Sequence, residues 1–237
     1  MTDHEKAVAE LSNNKISGSV FLILTYVPLL KELAPEDVYY PMLYDEFSMV
    51  TSGCAEYAGT HAAWRHKCTH RAGRPKSIIS HLFKNNADFA ATNPEAADFE
   101  PMIPAGDHPE YPSGSSAIYS AFAQAADNWF LDVFGVEEAS KKTGLVTFTV
   151  PAAKFYWTDG PSEDVTLSYN NLNEWVEELP KSRVYAGVHF MDAGVAGVAL
   201  GKKVGDACSI MLKKLKEGNM TATYTSEDRK QISPFNN

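Results

Sequence analysis

The chain has 237 residues, of which 44% are hydrophobic and 22% charged, a composition ordinary for a folded globular protein. Its formal net charge of -9 argues against nucleic acid and against insertion at an anionic membrane surface, because both partners attract basic proteins. The three cysteines, Cys54, Cys68 and Cys208, form no C-x-x-C pair. This pattern indicates neither a zinc knuckle nor a disulfide framework and favours the cytoplasm or another reducing compartment. The acidic start MTDHEKAVAEL does not resemble a signal peptide.

The first 70 residues are predicted to be helical. Residues 4–33 read as one or two helices, and the apolar run 20–30 predicts a buried helix interrupted or ended near Pro28, since about 20 apolar residues are needed to cross a bilayer. Residues 35–37 (PED) indicate the start of another helix, with a proline and acids in its first turn. Apolar residues then recur at helical spacing to about His70.

The middle of the chain mixes loops with one clear helix. Residues 71–112 contain six prolines, which predicts a long loop region around a short helix near 77–83; loops of this length are usually functional. A helix is predicted from about Ser115 to Phe134. Residues 144–150 alternate like a short strand, and its partner is expected near 164–168.

The C-terminal part is predicted to be helical at residues 170–179 and 182–217. The last helix carries Gly194, Gly197, Gly201 and Gly205. Because glycine destabilises helices, four of them predict another backbone packed very close to this one. The chain is therefore expected to be an all-α helical bundle with a small β excursion near 144–168, forming a single domain over residues 1–237.

Two segments contain residues suited to binding an anion. Residues 64–77 (WRHKCTHRAGRPKS) are a basic island in an acidic protein, although cations are also favoured at any helix C-terminus. Residues 108–116 (HPEYPSGSS) run into a predicted helix, whose first N–H groups lack partners and attract anions. The alternative for this second segment is a simple helix cap by Ser113 or Ser115.

A third segment, residues 181–194 (KSRVYAGVHFMDAG), places Arg183 six residues before His189. Asp192 follows His189 by three and would share its face if the segment is helical, so that its carboxylate would hold the imidazole in one tautomer. The alternative is that His189 is a core histidine and Arg183 a partner in a surface ion pair.

Taken together, the segments read K-x6-R-P, P-S-G and S-R-x5-H, in that order. This resembles the signature of the vanadium haloperoxidase and type-2 phosphatidic acid phosphatase superfamily. The stretches CAEYAGTHAAWRHK and SRVYAGVHFMDAGVAGVALGKKVG are similar to its haloperoxidase branch in particular. The resemblance covers roughly residues 50–215, and it implies a helical bundle of the haloperoxidase type.

The resemblance also implies roles for single residues. His189 would be the apical ligand, bonding the metal of vanadate in a haloperoxidase or attacking phosphorus in a phosphatase. Charge-assisted hydrogen bonds would neutralise the tetrahedral oxyanion. The donors implied for this anion are Lys67, Arg74, Arg183, Ser113 and the Gly114 N–H.

The sequence departs from the family pattern at two places. Ser115 stands where P-S-G-H has a histidine that handles a proton, and general acid–base help is worth roughly 10²–10⁴-fold. His108 lies seven residues earlier and either substitutes for that histidine, as an additional histidine at this offset in algal bromoperoxidases suggests, or is a loop residue. Asp192 follows His189 by three residues, where the family usually spaces its aspartate by four.

Two functions are expected from these residues. The first is an atypical vanadium haloperoxidase-like enzyme of specialised metabolism that binds vanadate and oxidises bromide or iodide with hydrogen peroxide. The second uses the same pocket for phosphate or a prenyl diphosphate, as a cyclase, isomerase or phosphatase, because a leaving diphosphate needs no proton donor. An inactive binding module would predict a lost cation or a lost His189, and neither is lost. The expected partner is a small molecule, and the sequence is compatible with a homodimer.

Overall fold

The structure is a computed structural model, and the part described here covers residues 1–13, 15–34, 40–152, 154–155 and 158–219. Helices dominate it, joined by short π-helical and 3₁₀ segments at Met49–Glu56, Pro94–Asp98 and Ala139–Lys141. The helices are α1 (Asp3–Leu11), α2 (Lys15–Leu33), α3 (Tyr40–Ser48), α4 (Tyr57–His70), α5 (Pro75–Asn85), α6 (Ala87–Thr92), α7 (Gly114–Phe134), α8 (Leu172–Tyr185) and α9 (Met191–Lys216). The strands are β1 (Val146–Val150), β2 (Lys154–Phe155), β3 (Thr158–Asp159) and β4 (Val165–Tyr169).

Helix α7 lies at the centre of the bundle and packs most extensively against α9. The glycines of α9 make this possible. A Cβ on Gly197 would lie 2.5 Å from the Ser113 carbonyl oxygen, and one on Gly201 would overlap the Ala117 carbonyl oxygen. The predicted close approach of a second backbone is therefore confirmed, and α7 is the backbone concerned.

The main hydrophobic core lies on another side of α7. Buried aromatic rings from α2, α3 and α7 pack edge to face or stacked there, with Tyr26 and Phe130 at a centroid distance of 5.5 Å. Strands β1 and β4 pair antiparallel, with Val146 opposite Tyr169, and their inward residues join the same core. The predicted helical bundle with a small β excursion is confirmed.

Some predicted boundaries are wrong. Helix α2 runs through Pro28 and ends at Leu33, and no helix in the described ranges is long and apolar enough to cross a membrane. The region 71–112 is more helical than expected, since it contains α5 and α6. The helix start predicted at residues 35–37 lies outside the described residues.

The most consequential difference is a break in the helix predicted at 182–217. Helix α8 ends at Tyr185 and α9 begins at Met191. Between them Gly187 adopts a φ of 72°, and a Cβ there would lie 2.8 Å from Pro101 Cα. Only glycine combines this left-handed backbone with such a close contact. The break places His189 in a non-helical link.

Candidate functional site

The three predicted segments meet around a cavity of about 260 Å³. It lies between the end of α4, the loop before α7, the N-terminus of α7 and the link between α8 and α9. The polar residues lining it include Lys67, Arg74, His108, Gly114, Ser115, Arg183 and His189. The apolar residues lining it include Trp64, Ile103, Pro104, Ile118 and Val188. Of the predicted anion donors, only Ser113 is missing from this wall.

The chain conformation around Arg74 follows from the sequence. Arg71 ends α4 in the left-handed conformation, with φ 51° and ψ 34°. Pro75 is the first residue of α5, and a proline restricts the residue before it to extended backbone. Arg74 is accordingly extended, with φ -72° and ψ 155°. This turn brings Arg74 to the same cavity as Lys67 on α4.

Two of the cations are almost completely buried. Lys67 Nζ donates to the carbonyl oxygens of Pro109 at 2.7 Å and Glu110 at 2.9 Å. Burial, with help from the neighbouring charge of Arg74, lowers the pKa of Lys67 to about 7. Burial also lowers the pKa of Arg183 to about 10. Arg183 Nε and Nη1 find no hydrogen-bond partner among the described residues.

Hydrogen bonding determines the tautomer of His189. Arg74 Nη1 lies 2.8 Å from the Val188 carbonyl oxygen and 3.1 Å from His189 Nε2. A guanidinium only donates, so Nε2 must be the unprotonated, accepting nitrogen. The proton then sits on Nδ1, which donates to Glu110 Oε1 at 2.9 Å. Burial, and next the charge of Arg183, lowers the pKa of His189 far below its ordinary value, which keeps the ring neutral.

The partner of His189 Nδ1 differs from the one expected. Asp192 was predicted to hold the imidazole on the condition that the segment is helical, but His189 precedes the first residue of α9. Glu110 occupies that role in the structure. It is the single acid in residues 108–116, yet it is 79 residues away from His189 in the chain, so spacing gave no reason to pair them.

Ser113 has the alternative role predicted from the sequence, that of a helix cap. Its side chain caps α7 by accepting from the Ser116 N–H at 3.4 Å and the Ser116 hydroxyl at 3.0 Å. Its own N–H donates to the Ala193 carbonyl oxygen at 2.8 Å. Ser113 is thus committed to the α7–α9 contact, and Gly114 and Ser115 are the residues of this turn that line the cavity.

His108 lies in a loop and nevertheless faces the cavity. Its Nδ1 is 3.0 Å from Arg74 Nη2, and its ring packs on Trp64 at a centroid distance of 4.9 Å. A Cβ on Gly106 would lie 2.9 Å from the His108 ring, so the glycine leaves room for it. Burial, and next the charges of Lys67 and Arg74, lower the pKa of His108. His108 is thus a loop residue whose ring lies near the cations, and its substitution for the missing histidine stays a prediction.

Comparisons with known proteins agree with this architecture. A family model described as the VCPO second helical-bundle domain matches residues 47–218. The holo and apo forms of a bacterial vanadium-dependent chloroperoxidase share 24% and 23% sequence identity with the chain, with TM-scores of 0.68 and 0.69; each comparison covers 90% of this chain and 45% or 46% of the other.

A bacterial vanadium-dependent iodoperoxidase is a more distant structural match. It has 17% identity and a TM-score of 0.53, over 87% of this chain and 43% of the other. The chain thus spans less than half the length of these solved structures, and at such identities the likeness shows the fold alone. No curated protein matches the chain.

Proposed function

The chain belongs to the vanadium haloperoxidase superfamily, and from this premise we propose that its cavity binds a tetrahedral oxyanion, vanadate or phosphate. The observation that carries the proposal is that Arg183 and His189 line the same cavity. Arg183 is a buried guanidinium with two nitrogens that lack acceptors among the described residues. His189 is a neutral imidazole whose Nε2 lone pair accepts from Arg74 in the cavity wall.

The residues present fit such an anion. A buried donor without an acceptor costs about 1–3 kcal/mol, and an oxyanion would supply the acceptors that Arg183 lacks. Lys67 and Arg74 add two further positive charges, and the carboxylate of Glu110 offsets one. The N-terminus of α7, at Gly114, adds the positive end of a helix dipole. The site is therefore cationic and lined by donors, as a dianion requires.

We propose that the protein loaded with vanadate oxidises bromide or iodide with hydrogen peroxide. Bound vanadate would supply the activation of peroxide. Lys67, Arg74 and Arg183 would hold the charge of the anion, and His189 Nε2 would be its protein ligand. His108 is the residue we assign to moving the proton, because Ser115, which occupies the family's histidine position, does not ionise near neutral pH.

A second candidate is supported by the apolar side of the cavity, where Trp64, Ile103 and Ile118 lie beside the cations. A phosphate or allylic diphosphate ester would place its organic group there, and a leaving diphosphate would need no proton from Ser115. The volume of about 260 Å³ is below the range of about 300–1,000 Å³ typical of sites for drug-sized ligands. The volume thus favours a small oxyanion over a prenyl chain.

The test is calorimetric titration of the purified protein with vanadate, with phosphate as competitor, paired with bromide-dependent halogenation of a phenolic dye by hydrogen peroxide. His189→Ala and Arg183→Ala should each abolish binding and turnover. Lys76→Ala is the matched control, since Lys76 forms an exposed ion pair with Glu100.

Vanadate binding with turnover supports the haloperoxidase proposal. Binding without turnover redirects the assay to phosphate and diphosphate esters. If neither vanadate nor phosphate binds, the oxyanion site itself is refuted.

A further inference from the structure

We infer that Glu110 is a positioning residue, which locks His189 in the Nδ1–H tautomer and ties the three anion-binding segments together. It lies in none of the three short motifs K-x6-R-P, P-S-G and S-R-x5-H. Its side chain is 4% exposed, and its hydrogen bonds join the second segment, in which it lies, to the first and the third. Of the two measurements that test this inference, anion binding rests on the proposed function, whereas the tautomer of His189 does not.

The carboxylate of Glu110 holds the third segment at two points. Its Oε1 accepts from His189 Nδ1 at 2.9 Å and from the Phe190 main-chain N–H at 2.9 Å. Phe190 is the residue that precedes α9. One oxygen thus binds both the ring and the following peptide, which sets the position of the imidazole relative to the start of α9.

The main chain of Glu110 holds the first segment. Its N–H donates to the Ala72 carbonyl oxygen at 2.9 Å, in the turn that leads to Arg74. Its carbonyl oxygen accepts from Lys67 Nζ at 2.9 Å. Glu110 is also three residues before Ser113, the cap of α7. A single residue thus contacts the lysine of the first motif and the histidine of the third, and it lies two residues before the second.

The tautomer is the functional consequence of this arrangement. A neutral imidazole carries one proton, and whichever nitrogen has the better acceptor keeps it. Glu110 provides a carboxylate to Nδ1, while Arg74 Nη1 faces Nε2 and offers only a donor. Both contacts keep Nε2 unprotonated, and its lone pair becomes available to a ligand when the contact with Arg74 Nη1 is released. Without the carboxylate only Arg74 Nη1 opposes a proton on Nε2, so the Nε2–H form, which blocks that lone pair, becomes populated.

The test compares three variants. Glu110→Met is similar in length and cannot accept the Nδ1 proton effectively, whereas Glu110→Gln retains an acceptor oxygen without the charge. Glu100→Gln is the matched control, because the Glu100 side chain is 68% exposed in a surface ion pair. One readout is the imidazole ¹⁵N spectrum, in which His189 is assigned by its loss in His189→Ala. The other is calorimetric binding of inorganic vanadate.

Wild type, Glu110→Gln and Glu100→Gln should all show His189 protonated at Nδ1. In Glu110→Met the Nε2–H form should appear, and vanadate affinity should fall about 10–100-fold, the usual effect of removing a group that orients a ligating histidine. Glu110→Gln should recover most of that loss.

The inference is overturned if Glu110→Met keeps the Nδ1–H form and the wild-type affinity. It is also overturned if Glu110→Gln loses the Nδ1–H form, a result that decides the matter even where the Met variant does not fold. If wild type binds neither phosphate nor vanadate, the proposed function fails, and the ¹⁵N spectra still decide the role of Glu110.

Discussion

Replacing His108 by alanine should separate turnover from anion binding. The structure places this ring in the cavity wall, beside Trp64 and Arg74, while Ser115 occupies the position of the family's proton-handling histidine. If His108 moves the proton, its loss should reduce the turnover number strongly. We expect His108→Ala to leave most of the affinity for the oxyanion intact.

The two magnitudes follow from different contacts. General acid–base catalysis contributes about 10²–10⁴-fold, so turnover should fall by that factor. His108→Ala removes a charge-assisted hydrogen bond from Arg74 Nη2, a class worth about 1.5–3 kcal/mol, and only the part that orients Arg74 toward the anion is lost from the affinity. Arg74 stays held by the carbonyl oxygens of Val188 at 2.8 Å and of residue 108 at 3.1 Å, which an alanine still provides.

The assay measures turnover and phosphate or vanadate affinity for wild type, His108→Ala, Ser115→His and the double variant. Ser115 lines the cavity in the first turn of α7, so a histidine there would restore the family's P-S-G-H pattern. We expect the double variant to have a turnover number at least tenfold higher than that of His108→Ala alone. His81→Ala on the exposed face of α5 is the control.

The reasoning is refuted if His108→Ala keeps turnover within threefold of wild type. A parallel loss of affinity and turnover would also contradict it, because the ring would then act by holding Arg74.

Three further predictions concern charge and packing. Arg183→Met should abolish phosphate binding and raise the free energy of unfolding of the ligand-free protein by about 1–3 kcal/mol, since it removes buried donors without acceptors; urea denaturation that shows a loss would contradict this. Lys67, with a pKa of about 7, is charged below pH 7, so anion affinity should be highest there and fall about tenfold per unit as the pH rises above 7. Because the protonation of phosphate itself changes with pH, the quantity to compare is the slope of log affinity against pH in wild type and in Lys67→Met. Equal slopes would exclude Lys67 as the source of the pH dependence. Gly201→Ala should destabilise by about 1–3 kcal/mol through overlap with Ala117, measured against Gly53→Ala, whose Cβ would meet nothing nearer than 3.9 Å; similar effects of both would contradict the close packing.

The sequence by itself determined the elements whose signals are local. The start of α7 after P-S-G, the pairing of β1 with β4, and the close approach at the α9 glycines all follow from residue spacing. These features depend on conformational preferences within a few residues or on one periodic face. The motif order was also sufficient for the family, because three short patterns in sequence carry that information without coordinates.

Only the tertiary structure decided which residues of the site contact one another. The break around Gly187 depends on contact with Pro101, and it removes His189 from the helical face it was expected to share with Asp192. Glu110 reaches His189 across 79 residues, and His108 faces the cavity because Gly106 leaves it room. Hydrogen bonds between residues far apart in the chain form where packing brings their segments together. The spacing of neighbouring residues in the sequence does not tell which distant segments meet.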